Sequence, residues 1–261
     1  MKNKIALITG AADQRGIGFA CAQALLEQGA TVVITDLASR QQEIDDAVTV
    51  LGDKAHGLAL DVTVEEQAQA VAGQIQRDLG TINILINNAG TGVGAKPLMD
   101  STAQDWTMSW TVNVLGTVNC CKAVIPQMQA NGGGVIINNS SASGLRAMPA
   151  YGAYAADKHA LIGLTRTLAG ELGGQNIRVV AICPGVINTS MNDLQIAKLA
   201  DEYGATNEEI ESAMGDASGM KRIGQPIEVG RVAAFLASDG ASYMNGNAVE
   251  VTGGLISGGI N

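Results

Sequence analysis

The 261-residue chain can bury a sizeable core, and α/β chains of this length commonly form one domain. Its hydrophobic content of 46% includes only 3% aromatics, so the core must come from Val, Ile, Leu and Ala, while 33 glycines supply tight turns. A formal net charge of -9 disfavours a broad electrostatic grip on nucleic acid or an anionic membrane.

Several further classes lose support. No stretch reaches the length of an apolar membrane span, and the N-terminus runs into an apolar strand without a signal-peptide pattern. Cys21, Cys120, Cys121 and Cys183 show no C-x-x-C spacing, which makes a reducing cytoplasm the simplest compartment. His56 and His159 lie far apart and in no ligand motif, so no metal site is expected.

In chain order, the β-branched apolar runs Ile5–Ile8, Thr31–Ile34, Gly57–Leu60, Ile82–Ile86, Val135–Ile137 and Ile177–Ile182 read as buried strands. Helical patterns fill the intervals at Gly18–Gln28, Gln41–Leu51, Glu65–Leu79, Ala103–Gln129 and Ala150–Leu172. Repeated strand-helix-strand units imply a parallel, doubly wound sheet with helices on both faces. The polar, acidic stretch from Asn188 to Gly219 breaks the rhythm, with weak helical signals at Leu194–Tyr203 and Glu208–Met214. It reads either as a lid over the carboxyl ends of the strands, where open α/β sheets bind ligands, or as an ordinary surface excursion. Pro226 opens a helix towards Leu236, and Val249-Glu250-Val251 reads as the last strand.

The first strand passes directly into Gly10-Ala11-Ala12-Asp13-Gln14-Arg15-Gly16-Ile17-Gly18, where the next helix begins. Glycines permit a tight turn and close backbone approach, and the free N–H groups of a helix start receive pyrophosphate; the segment reads as a dinucleotide cradle. Asp36 closes the second strand, where a carboxylate accepts from ribose hydroxyls and repels a 2′-phosphate, so NAD is expected over NADP. Arg15 is the competing signal, because its guanidinium could pair with a phosphate.

Tyr154 and Lys158 are four apart, which places them on one helix face, and Ser141 precedes Tyr154 by thirteen positions. A phenol of reference pKa about 10 is a poor base near neutrality, and a nearby ammonium should ease its ionisation. Neither Tyr151, Tyr203 nor Tyr243 has lysine four positions later.

Taken in order, Thr9-Gly10 to Gly16-Ile17-Gly18, Asp61-Val62, Asn87-Asn88-Ala89-Gly90, Asn113, Ser141, Tyr154/Lys158 and Pro184-Gly185 resemble the short-chain dehydrogenase/reductase family. The resemblance covers nearly the whole chain and extends to Tyr243-Met244-Asn245-Gly246 and Gly253-Gly254. One departure is visible: five residues separate Gly10 from Gly16, where the family commonly has three.

The resemblance implies a single-domain, seven-stranded Rossmann fold and a homotetramer with contacts from the helices at 103–129 and 150–172. It implies that Asp61 and Val62 meet the adenine end and that Asn88, Ala89 and Gly90 line the cofactor cleft, although Asn88 and Gly90 could equally stabilise the sheet and turn. Pro184, Gly185, Val186, Ile187 and Thr189 would form the nicotinamide segment. Asn113, Ser141, Tyr154 and Lys158 match the catalytic tetrad, with Ser140 and Ser143 supporting the loop.

The expected activity is NAD-dependent interconversion of a secondary alcohol and a ketone, with Tyr154 as acid or base, Ser141 on the substrate oxygen, Lys158 on the nicotinamide ribose, and Asn113 completing a water relay. Val93, Ser143, Met148, Tyr151, Val186, Met191 and Leu194 are candidates for the wall of a small-molecule site. Two alternatives stand beside it: a 3-oxoacyl-thioester reductase, and a non-catalytic NAD-binding sensor. Trp106 and Trp110, four apart, read as anchors of a helix face.

Overall fold

The computed structural model describes residues 1–146 and 148–255. Strands β1 (Ile5–Thr9), β2 (Thr31–Asp36), β3 (Ala55–Ala59), β4 (Ile82–Asn87), β5 (Gly134–Asn139), β6 (Ile177–Pro184) and β7 (Ala248–Val251) form one seven-stranded sheet in the order β3-β2-β1-β4-β5-β6-β7. Every neighbouring pair is parallel. Parallel pairing demands crossovers, which α1 (Ile17–Glu27), α2 (Gln41–Leu51), α3 (Glu65–Asp78), α4 (Ala103–Trp110), α5 (Gly116–Ala130) and α6 (Gly152–Leu172) provide. Between β6 and β7 come α7 (Ser190–Tyr203), α8 (Asn207–Asp216) and α9 (Pro226–Ala237).

Alternation within each strand makes the two halves of the core. Ala6, Ile8, Ile34, Ile86 and Ile137 face one side and pack with α1 and α9 residues such as Phe19, Leu25, Val229 and Ala233. Leu7, Val33, Leu85 and Ile136 face the other and pack with Val71, Ile75, Val124 and Met128 of α3 and α5. The chain winds outward from β1 to β3 and then returns to β4 on β1's other side, so the crevice at the carboxyl ends of β1 and β4 is a topological switch point.

Three sequence expectations are adjusted. β3 starts two residues earlier than its apolar run because it is a half-buried edge strand whose polar His56 pairs opposite Val33. The long helix expected over 103–129 is interrupted at Thr111–Leu115 by a π-helical turn with Asn113 at its centre. The acidic stretch folds into α7 and α8, started by Thr189 and Thr206, whose side chains accept from Asn192 N and Glu209 N. Ile196, Ala200, Ile210, Met214 and Ile223 give this cap a small core of its own.

Candidate functional site

Two groups of residues meet at the switch point. On the β1 side, Gly10 adopts φ +63 and a Cβ there would lie 2.7 Å from Ala89 Cα, so the turn and the β4 loop touch through bare backbone. Asn88 fastens this contact. Its Nδ2 donates to Thr9 O at 3.0 Å and Gly10 O at 2.7 Å, while its Oδ1 accepts from Asn139 Nδ2 at 2.8 Å. The Asn88 side chain is therefore committed to holding β1, β4 and β5 together. Its neighbour Ala89 donates its N–H to Thr9 Oγ1.

Gly16 caps α1 in an extended conformation without a side-chain partner, which leaves the first N–H groups of Ile17 and Gly18 pointing out of the helix start. The two additional residues of the turn form a small loop closed by Asp13, which accepts from Arg15 N and Gly16 N. This loop carries Arg15 away from the helix start and onto the cap. Arg15 Nη1 donates to Asp193 Oδ2 at 2.7 Å, and Nη2 to Asp193 Oδ1 and Asn188 Oδ1, both at 3.2 Å. The sequence allows Arg15 to pair with a phosphate; the structure pairs it with Asp193 of α7.

Asp36 is 8% exposed. Its carboxylate accepts from Ala12 N at 3.2 Å, Leu37 N at 2.9 Å and Arg40 Nη1 at 3.0 Å. The guanidinium of Arg40 thus stands beside the carboxylate that the sequence assigns to the ribose, a contact that the uncharged Leu37 gave no hint of. Asp61 Oδ1 accepts from Thr63 N and Oγ1, turning the chain into α3, and the buried Val62 offers its carbonyl to Asn119.

On the other side, β5 and α6 place the proton-transfer candidates. Ser141 begins a short turn, and its Oγ accepts from Ser143 N at 3.1 Å, which leaves the hydroxyl hydrogen free to donate. The buried Ser140 instead donates to Lys158 O at 2.8 Å. Lys158 Nζ donates to Asn139 O at 2.9 Å and lies 5.4 Å from the centre of the Tyr154 ring. Gly90 adjoins both Lys158 and Asn113: a Cβ there would sit 2.9 Å from Asn113 Oδ1 and 3.7 Å from Lys158 Nζ.

The electrostatics run against the simple expectation. Burial pushes the Tyr154 phenol up to about 12, with the Ser141 hydroxyl opposing the shift. Burial also lowers Lys158 to about 8, and the negative charge of Asp157 resists that fall. Among the protein's own groups, desolvation outweighs any easing of phenol ionisation by the lysine. Lys158 itself donates to the Asn139 carbonyl.

Asn113 joins the two sides. Its Oδ1 accepts from Thr91 N at 2.8 Å, and its Nδ2 donates to Thr91 O at 3.1 Å and Asp157 Oδ2 at 3.0 Å. The loop after β4 also reaches α6 through Gly94, whose carbonyl accepts from Tyr154 N; a Cβ on Gly94 would press within 2.8 Å of both Ala153 and Tyr154. Pattern reading missed Thr91, Gly94, Ser109, Asn139 and Asp157, because their work lies in contacts between distant segments.

The segment after β6 is held by Gly185 N to Val251 O and by a bridge between Ile187 and Gly224. Thr189 accepts from Asn192 N, so its hydroxyl hydrogen remains available to a ligand. Tyr151 packs edge-on against Tyr154 with centroids 6.0 Å apart, and its hydroxyl accepts from Gln195 Nε2 on α7. Of the other wall candidates, Ser143 is buried, whereas Met191 and Leu194 are exposed. Trp106 and Trp110 are 37% and 44% exposed and form part of the outer surface of α4.

These groups suit a nicotinamide dinucleotide. An uncapped helix start faces the turn, Asp36 has acceptor capacity near the second strand's end, and a free hydroxyl hydrogen and an ammonium stand at the opposite side.

Comparison with known proteins bears on family and fold. The family model described as enoyl-(acyl carrier protein) reductase matches residues 10–256. The chain is 38% identical to bovine (Bos taurus) dehydrogenase/reductase SDR family member 4 over 263 residues, covering 98% of this chain and 88% of the relative. It is 36% identical to the 3-oxoacyl-[acyl-carrier-protein] reductase FabG of Thermotoga maritima, covering 98% and 99%. L-sorbose reductase from Gluconobacter frateurii, solved with NADPH and L-sorbose, superposes with a TM-score of 0.87 at 30% identity, covering 98% of each chain.

Proposed function

Because the chain belongs to the short-chain dehydrogenase/reductase family, we propose that it interconverts a secondary alcohol and a ketone with NAD(H), using Tyr154 as the proton carrier. The observation that carries this reading is the Tyr154 phenol with the Lys158 ammonium 5.4 Å from its ring centre and the Ser141 hydroxyl acting on the same phenol. A bound nicotinamide supplies the hydride donor or acceptor, and its oxidised ring brings positive charge.

Tyr154 Oη takes the proton from the alcohol in oxidation and returns one to the carbonyl oxygen in reduction. Ser141, with its acceptor side engaged by Ser143 N, donates to the same substrate oxygen. Lys158 supplies a fixed charge near the phenol and holds its orientation through Asn139 O. Asn113 has its side-chain amide committed to Thr91 and Asp157, and its backbone carbonyl, which accepts from Thr117 Oγ1, keeps a second lone pair for a water relay. Thr189 orients the carboxamide, and α7 with α8 acts as the lid over the site.

The assignment of NAD rests on the buried Asp36. A second reading, NADPH-dependent reduction, is favoured by Arg40, whose guanidinium already sits on Asp36 and can turn to a 2′-phosphate, and by the NADPH bound to L-sorbose reductase. Reduction of a 3-oxoacyl thioester has support from the similarity to the Thermotoga enzyme. We further propose a cytoplasmic homotetramer; the exposed Trp106, Met108, Trp110 and Leu115 support an interface on α4 and the π-turn, and light scattering measures the mass.

One matrix tests the reaction and the cofactor together: secondary alcohols, polyols, ketones and 3-oxoacyl thioesters, each with NAD(H) and NADP(H), followed by nicotinamide absorbance. NAD-linked turnover of an alcohol-ketone pair is expected. Tight dinucleotide binding with no turnover across the panel would replace the enzyme with a sensor.

A further inference from the structure

Asp157 lies between Tyr154 and Lys158 on α6 and is 1% exposed. Its Oδ2 accepts from Asn113 Nδ2 at 3.0 Å and from the Ser109 hydroxyl. Both donors are neutral, and no ion pair among the described residues includes Asp157. A carboxylate buried in this way costs stability, and an apolar side chain would fill the same helix position more cheaply.

The cost has a counterpart one residue away. Lys158 is 5% exposed and its ammonium donates to a carbonyl, not to an acid. The titratable groups around that ammonium are few: Asp157 and Tyr154 on α6, and the Cys183 thiol on β6. The π-turn and α4 present only the neutral Asn113 and Ser109 to Asp157, and β5 presents the Asn139 carbonyl to Lys158. Asp157 is therefore the acid that neighbours this buried cation; burial raises its own pKa, and the hydrogen bonds from Ser109 and Asn113 together with the charge of Lys158 oppose that rise.

We infer that Asp157 is a positioning residue of the proton site, whose charge keeps the Lys158 ammonium protonated while its Oδ2 fixes Asn113 in the π-turn. The inference rests on the proposed proton transfer for its consequence in catalysis, but the coupling of the two side chains exists without any substrate. Its direction agrees with the opposing influences on Lys158, where burial lowers the affinity for a proton and Asp157 raises it. In the absence of the charge, the lysine would lose its proton nearer neutrality, and the phenolate would lose its neighbouring cation.

The test compares Asp157→Asn, which removes the charge, with Ser109→Ala, which removes one hydrogen bond and leaves the charge. Lysine labelled with 13C at Cε, with Lys158 assigned through Lys158→Met, is titrated by NMR in the protein without cofactor. Lys158 is expected to titrate roughly one pH unit lower in Asp157→Asn and at the wild-type pH in Ser109→Ala. With an active substrate, kcat of the Asp157→Asn variant should lose its alkaline limb over the same interval, with roughly tenfold lower turnover one pH unit above the new midpoint. A folded Asp157→Asn protein with an unmoved Lys158 titration overturns the inference, as does an equal shift in Ser109→Ala. Should Asp157→Asn not fold, Asp157→Ser carries the same expectation. If wild-type protein turns over no substrate, the oxidoreductase reading fails, while the NMR titration still decides the coupling.

Discussion

The two sides of the cleft are built by different means. On the β1 side the contacts that matter are mostly main chain: Gly10 against Ala89, the uncapped start of α1, and Asn88 pinning two carbonyls. On the β5 and α6 side they are side chains in a polar network around Tyr154, with Ser141, Asp157 and Lys158 reaching Ser143, Asn113 and Asn139. A surface of backbone donors and acceptors binds a ligand without titrating, whereas a network of ionisable side chains can move a proton. The contrast predicts that changes on the first side alter binding and stability, and that changes on the second alter chemistry and pH response.

The largest effect should come from the second side. Tyr154→Phe keeps the ring and removes the proton carrier, so kcat should fall by about a thousandfold, with dinucleotide affinity preserved in a fluorescence titration. Undiminished turnover would abolish the distinction between the two sides.

Next is the pH response of folding. Lys158 is lowered from 10.5 to about 8 in the folded protein, so between those values the unfolded chain binds more protons and stability rises with pH. Denaturant melts of wild type, referred to Lys158→Met, should therefore gain up to about 3 kcal/mol across that window. Tyr154, raised from 10.0 to about 12, acts with the opposite sign: its contribution is complete below pH 10 and is lost as pH rises towards 12.

On the first side, Asn88→Ala removes both bonds to Thr9 and Gly10 carbonyls and should cost about 2 kcal/mol of stability, together with cofactor affinity. A variant that lost turnover with stability unchanged would move Asn88 into the chemical half. The smallest effect belongs to Arg15. Its pair with Asp193 is half-exposed, so Arg15→Ala should change stability by under about 1 kcal/mol in a thermal melt, while hydrogen exchange in the first turn of α7 increases.

The sequence makes the sheet legible because buried parallel strands are near-continuous apolar runs, and the order of glycine turn, Asp36, Asn113, Ser141, Tyr154 and Lys158 is carried by residue type alone. What it conceals depends on partners far along the chain. Arg15 meets Asp193 across 178 positions, and Asp157 meets Asn113 across 44. Local periodicity carries no signal for such meetings. The lysine's field on the phenol was overestimated for the same reason: burial, a property of the assembled fold, dominates both groups.

The π-turn at Thr111–Leu115 constrains how this chain can vary by insertion and deletion. An α-helix advances about 100° per residue, so removing one residue there would regularise the hydrogen bonding and swing everything downstream around the axis. Cys120, Cys121, Val124 and Met128, now against the sheet, would then turn towards solvent unless a second change restored the phase. A length change tolerated at the exposed ends of α7 or α8 is thus excluded here, and variation in this helix is confined to substitutions that keep its residue count.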